Sequence, residues 1–269
     1  MPGEEWRTGE RFANDLRYRL DLGTAVADLR DVMRRVGVIF ITHDFGPEGG
    51  DGRYVKKGDR AAIVINSHVQ TTGRVRFTIA HELGHHLIHG EGRHSALFVD
   101  AKVGGGGDKP PEEKEADAFA AYFLAPTRAL KRDVAALERS PTMEDVVDLA
   151  IRYGVSYQTL VYRLNNSGVI GAAKRNVLIA QGRGNVEELV RARGGYNEDD
   201  AVLVNAGVPD DYRETALRLY VAGALGLGRL AELLRISPQE AERLLEERGI
   251  EEPTTPELVD SDFDDLLER

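Results

Sequence analysis

Apolar residues at Leu16, Leu20, Ala25, Leu29 and Val32 recur at roughly helical spacing, so residues from about Arg11 to Val36 read as a helical lead-in that packs on a core. The period then changes. Val36 to Ile41 is a short apolar run, and Arg53 to Val55 and Ala61 to Ile65 flank the turn-like Lys57-Gly58-Asp59-Arg60; together they predict a small antiparallel sheet. From about Arg74 to His89 helical spacing returns, with Phe77, Ala80, Gly84 and Leu87 between polar residues and Gly90 as the stop. Lys102 to Lys109 contains four consecutive glycines, whose ordering would cost much backbone entropy, and predicts a mobile loop. Pro111 then suits the first position of a helix running to about Leu124. Its stripe is Ala116, Phe119, Ala120 and Phe123, and Pro126 ends the pattern.

Helical segments dominate the remainder. Asp145 to Leu164 carries Ala150, Gly154 and later apolar positions at the offsets of a helix-turn-helix, and Leu230 to Leu245 repeats that phasing with acidic residues on its second helix. Between them, Arg191 to Asp211 is polar and Gly-rich and reads as a linker. The tail from Glu251 is acidic and reads as loosely ordered apart from a Phe263 to Leu267 turn.

Composition narrows the function classes. A chain of 269 residues, 42% hydrophobic and 30% charged, is long enough for one or two compact domains. Its formal charge of -10 argues against coating nucleic acid or anionic membrane by bulk electrostatics. The absence of cysteine excludes disulfides, thiolate metal sites and thiol nucleophiles, so any metal must be held by His and carboxylates. No stretch approaches the ~18 apolar residues of a membrane span and the N-terminus lacks an apolar signal core, which places the expected location in the cytoplasm.

The chemistry is concentrated in His81-Glu82-Leu83-Gly84-His85, an H-E-x-x-H motif on a predicted helix. The two imidazoles stand at i and i+4 on one face and can share a metal, and Glu82 beside them is placed to move a proton of an attacking water. The longer metzincin pattern fails, because Ile88 stands where its Gly belongs and Glu91 where its third His would be. A carboxylate from the next helix is the better third ligand. Glu112 and Glu113 both qualify by periodicity, and Asp117 is placed to accept a hydrogen bond from a ligand histidine. His86 points about 100° away from the metal face and His89 lies a further turn along, so both read as bystanders. His68 and His94 flank the helix in loops and are weak candidates for stabilising a developing oxyanion.

Arg76-Phe77-Thr78-Ile79-Ala80-His81-Glu82-Leu83-Gly84-His85, followed by Glu113-Lys114-Glu115-Ala116-Asp117-Ala118-Phe119-Ala120-Ala121 and preceded by Ile65-Asn66, resembles the ImmA/IrrE family of metallopeptidases. The resemblance covers roughly Val36 to Gly171. It implies Glu113 as the third ligand, four residues before Asp117, where the family usually has Asn. It also implies a Zn2+ cofactor, with Mn2+ as the alternative, and a helix-turn-helix repressor or antitoxin as the cleaved partner. The expected fold is α+β and predominantly helical, a small antiparallel sheet packed on the H-E-x-x-H helix in a zincin-like domain, followed by a helical C-terminal half.

The expected divisions are a peptidase domain with its lead-in at 1–135, a helix-turn-helix-like segment at 136–172, a linker at 173–211, a second helical module at 212–250 and the acidic tail at 251–269. Arg152 and Arg163 are the only cations of the first helix-turn-helix-like unit, so direct DNA binding is expected to be weak or absent. The leading expectation is a zinc-dependent regulatory endopeptidase. The competing one is a non-proteolytic metal-containing regulator or toxin–antitoxin component that acts by binding a partner protein or DNA.

Overall fold

The computed structural model describes residues 3–26, 28–69, 71–90, 92–99, 109–195 and 210–250, and the chain divides into two compact units, residues 1–205 and 206–269. The Gly-rich stretch 101–108, residues 196–209 of the expected linker and the acidic tail with its Phe263 to Leu267 turn lie outside the described residues. Within them, no helix is long and apolar enough to cross a membrane.

The lead-in is two helices rather than one, α1 (Glu4–Arg19) and α2 (Leu29–Arg35). Asp21 takes a left-handed φ of 50° just after α1, and Asp28 caps α2 by accepting from the backbone N–H of Arg30 at 2.8 Å and of Asp31 at 3.1 Å. A side chain that competes for backbone donors starts a new helix here, and the apolar spacing across the break is coincidental.

Four strands follow: β1 (Val38–His43), β2 (Gly52–Lys57), β3 (Arg60–Asn66) and, after the next helix, β4 (Ser95–Val99). Their order is β1-β3-β2-β4. The β2–β3 hairpin is antiparallel as expected, and β4 pairs antiparallel with β2. β1, however, pairs parallel with β3, which makes the sheet mixed. The connection from β1 passes over β3 before β2 begins, and buried Asn66 at the end of β3 holds it there, its Nδ2 donating to the carbonyls of Gly46 at 2.8 Å and Gly50 at 2.7 Å. Local periodicity carries no information on which edge a strand joins.

Helix α3 (Thr72–Gly84) lies against β2 and β3, and Val75, Ile79 and Leu83 join Tyr54, Ile63 and Ile65 in one buried core. α4 (Pro111–Leu124) opens with Pro111, as its fixed φ favours, and packs between α1 and α3. Then come α5 (Thr127–Ala135), α6 (Met143–Tyr153), α7 (Tyr157–Asn166) and α8 (Ala172–Ala192). α6 starts in a capping box between Thr142 and Asp145 and ends on left-handed Gly154, the turn of the expected helix-turn-helix.

That pair shares the core of the sheet and α3: Val146, Val147, Ala150, Leu160, Val161 and Leu164 belong to the same buried cluster. α8 occupies much of the stretch expected as linker. Gly182, Gly184 and its polar residues dilute the helical pattern in sequence. Leu178 nevertheless buries fully, and Tyr157 donates to its carbonyl at 3.0 Å. In the second unit, α9 (Asp210–Val221), α10 (Leu227–Leu234) and α11 (Pro238–Glu247) close a smaller core of Ala216, Leu217, Tyr220, Leu230, Leu234 and Leu245.

Candidate metal centre

The motif helix presents its chemistry inward. His81, Glu82 and His85 are at most 1% exposed, on a helix whose apolar residues are already spent on the sheet. Polar groups at such depth need partners. The Nε2 atoms of His81 and His85 stand 3.0 Å apart. From α4, Glu113 places one carboxylate oxygen 3.2 Å from His81 Nε2 and the other 3.3 Å from His85 Nε2. One ligand atom from each of the three lies within 4.8 Å of the others. Of the two carboxylates that periodicity left open, Glu113 is the one that faces the imidazoles.

Asp117, one turn along α4, places Oδ1 3.0 Å from His81 Nδ1, and Lys109 Nζ holds the other oxygen at 2.7 Å. Because a carboxylate only accepts, His81 carries a hydrogen on Nδ1 and turns Nε2 toward His85 and Glu113. His85 Nδ1 faces His89 Nδ1 at 2.9 Å, and His89 Nε2 faces Glu115 Oε2 at 2.9 Å. Sequence reading set His89 aside and did not weigh Glu115. The signal was present, since His89 stands four residues beyond His85. What brings the rings together is a π-helical turn, His85–His89, closed by Gly90 N–H donating to His85 O at 2.8 Å. Phe98 of β4 stacks on His85 with centroids 4.4 Å apart, closing an apolar side of the centre that no sequence motif announced.

Two glycines set the spacing. A Cβ at Gly84 would stand 3.1 Å from Ala116 Cα and 3.2 Å from Phe119 Cβ, so α3 and α4 approach closely enough for Glu113 to reach both imidazoles. A Cβ at Gly52 of β2 would stand 2.8 Å from Glu82 Oε1 and 2.6 Å from Thr78 Cγ2; the missing side chain leaves room for the Glu82 carboxylate. His86 turns away to Tyr54, whose hydroxyl lies 3.1 Å from its Nδ1. The loop histidines are occupied elsewhere or exposed: His68 Nε2 pairs with Asp44 at 2.9 Å, and His94 stands in solvent before β4.

Charge follows the geometry. Burial would raise the Glu113 carboxyl, but hydrogen bonding and charge from His81 and His85 outweigh it and hold the group well below the usual carboxylate range. Asp117 is likewise lowered, His81 and Lys109 overcoming its desolvation. Burial pushes the His85 imidazole down to about 4, despite the opposing pull of Glu113, so the ring is neutral at pH 7. Two imidazoles and one carboxylate converging on one point are a donor set that fits a divalent transition metal, which would displace any proton on the two Nε2 atoms and leave a position for water.

Replacing Asp117 with Ala removes the acceptor that orients His81. Zinc affinity, measured by competition with a chromophoric chelator, is expected to fall ~10 to 100-fold. An unchanged dissociation constant would show that His81 needs no such support.

A family model described as the IrrE N-terminal-like domain, a peptidase family, matches residues 33–165. No curated protein matches the chain. The matched span takes in the sheet, α3 and the π-helical turn with the two histidines, α4 with Glu113 and the α6–α7 pair, and over it the chain carries a domain of the ImmA/IrrE-type peptidase family.

Proposed function

We propose that the chain is a zinc-dependent endopeptidase that cleaves a helix-turn-helix repressor or antitoxin and so relieves repression. The observation that carries the peptidase part is the convergence of His81, His85 and Glu113 on one point, with Glu82 buried between the two histidines on the same helix. A divalent ion held by those three supplies Lewis acidity, polarising a scissile carbonyl and acidifying water. Glu82 takes the proton of the attacking water and returns it to the leaving amine. Asp117 holds His81 in the tautomer that this arrangement needs.

The regulatory target is supported by the family and by the helical modules that follow the centre in sequence. The α6–α7 pair does not offer a DNA-reading surface rich in charge: Arg163 of α7 is buried, and Arg152 of α6 pairs with Asp133 at 3.0 Å. α11 carries Glu240, Glu242, Glu246 and Glu247 against one cation, Arg243, a net acidic helix suited to a basic protein and repelled by phosphate. Binding of DNA by this chain is accordingly weak and salt-dependent, and the absence of cysteine suits a reducing, cytoplasmic setting.

Purified chain, loaded with Zn2+ or Mn2+, is to be incubated with a panel of helix-turn-helix repressors and antitoxins and the products read by mass spectrometry. Cleavage of one of them, stopped by a chelator and restored by one of the ions, is the expected result. A metal-loaded protein that binds a repressor tightly and leaves it intact would establish a non-proteolytic regulator instead.

The Gly52 contact yields a sharper expectation. Gly52→Ala pushes the Glu82 carboxylate aside, and a displacement of about 1 Å at a catalytic group can cost about 10²-fold in rate. Metal content should stay at the parent level while kcat falls. Parent-like kcat would mean that Glu82 is not positioned by β2.

A further inference from the structure

The two imidazoles of the centre are supported differently. His81 leans on a carboxylate directly, whereas His85 leans on a second imidazole, His89, that leans in turn on Glu115. Proton placement along this second chain is determined by its far end. The Glu115 carboxylate at 2.9 Å only accepts, so His89 Nε2 bears hydrogen. With that hydrogen on Nε2, the His89 Nδ1 lone pair accepts from His85 Nδ1–H at 2.9 Å. His85 Nε2 is thereby turned toward His81 and Glu113, the side from which a metal would be bound. The reverse assignment on His85 would set two lone pairs against each other across the same gap.

We propose that His89 and Glu115 are positioning residues that hold His85 in its Nδ1–H tautomer and in rotation, as Asp117 does for His81. The inference rests on the reading of this cluster as a metal centre, though not on whether the centre cleaves peptides. Three features make the relay stiff. The His89 side chain is 6% exposed, which leaves little room for a water to replace it. Its ring lies 5.0 Å from that of His85 and 5.5 Å from that of Phe98, so it is clamped from two sides. The π-helical turn sets its backbone relative to His85 through a wider hydrogen-bonded ring than an α-helix uses. α4 thus supplies three carboxylates to one centre: Glu113 to the ion, Asp117 behind His81 and Glu115 behind His89.

The test uses the full chain and Zn2+ alone. Nitrogen-15 NMR of the metal-free parent reads which ring nitrogens carry hydrogen without any substitution, and His85 is expected to carry one on Nδ1. Glu115→Ala should lose that uniform placement of hydrogen and bind zinc ~10 to 100-fold more weakly by chelator competition. His89→Phe keeps a ring against Phe98 but offers no acceptor, and should weaken zinc to a similar degree. In the double variant the losses should not add, because Glu115 acts only through His89. A parent His85 with no hydrogen on Nδ1, or a Glu115→Ala protein that binds zinc as tightly as the parent, overturns the relay. A chain with the relay and zinc affinity as described that cleaves no protein would overturn the peptidase reading and leave the relay standing.

Discussion

Glu82→Gln is expected to abolish cleavage while leaving fold and metal in place. The amide has nearly the volume of the carboxylate, which matters at a site that is 0% exposed and walled by the backbone of Gly52. It cannot take up a proton from water. Loss of a general acid–base group costs ~10² to 10⁴-fold in rate, so a co-expressed partner should survive intact and remain bound. Neither the ligand set of His81, His85 and Glu113 nor the Asp117 support is touched by the change. Metal content by elemental analysis should therefore match the parent. If the variant relieves repression as well as the parent does, binding rather than proteolysis is the mechanism.

The largest effect on stability is expected from Arg163→Met. Arg163 is 1% exposed, yet burial lowers its pKa only to about 10, so it stays charged at pH 7. Its Nε donates to the carbonyls of Ala121 at 3.2 Å and Ala125 at 3.1 Å, and Nη2 donates to Ala125 O at 2.8 Å and Thr127 Oγ1 at 3.1 Å. These carbonyls lie at the C-terminal end of α4, where helical partners run out and the dipole favours a cation. The guanidinium also sits 3.9 Å over the ring of Tyr122. Methionine fills the space but removes the side-chain donors of the Ala125 carbonyl and Thr127 hydroxyl and leaves Ala121 O with the Ala125 N–H alone. A buried acceptor left without its donor costs about 1 to 3 kcal/mol. Urea unfolding of the metal-free protein should show a loss of that size, and a shift under about 1 kcal/mol would mean that water replaces the guanidinium. Arg163→Lys should fall between, since an ammonium restores charge but not the fork.

The same residue marks a boundary of what sequence conveys. In the linear pattern Arg163 looks like a recognition-helix cation; in the fold it points inward and fastens α7 to α4. Nothing local distinguishes the two, because a helix face is defined by spacing and its neighbour by tertiary packing. The parallel pairing of β1 and the helical character of residues 172–192 escaped for the same reason. So did the Phe98 ring over His85, delivered by a strand that the pattern did not announce.

The sequence by itself put His81 and His85 on one helix face with Glu82 beside them, since i and i+4 on a helix share a face whatever the helix packs against. It also determined where α4 starts and stops, through Pro111 and Pro126. Periodicity left Glu112 and Glu113 open and the family resemblance implied Glu113; the tertiary structure supplies the physical reason, because adjacent residues on a helix differ by about 100° in direction and the approach of α4 to Gly84 makes the direction of Glu113 the inward one. The relay through His89 and Glu115 was decided only in the tertiary structure. It depends on a π-helical turn and on a second helix 26 residues away in sequence, and a hydrogen bond between distant segments leaves no period in the chain.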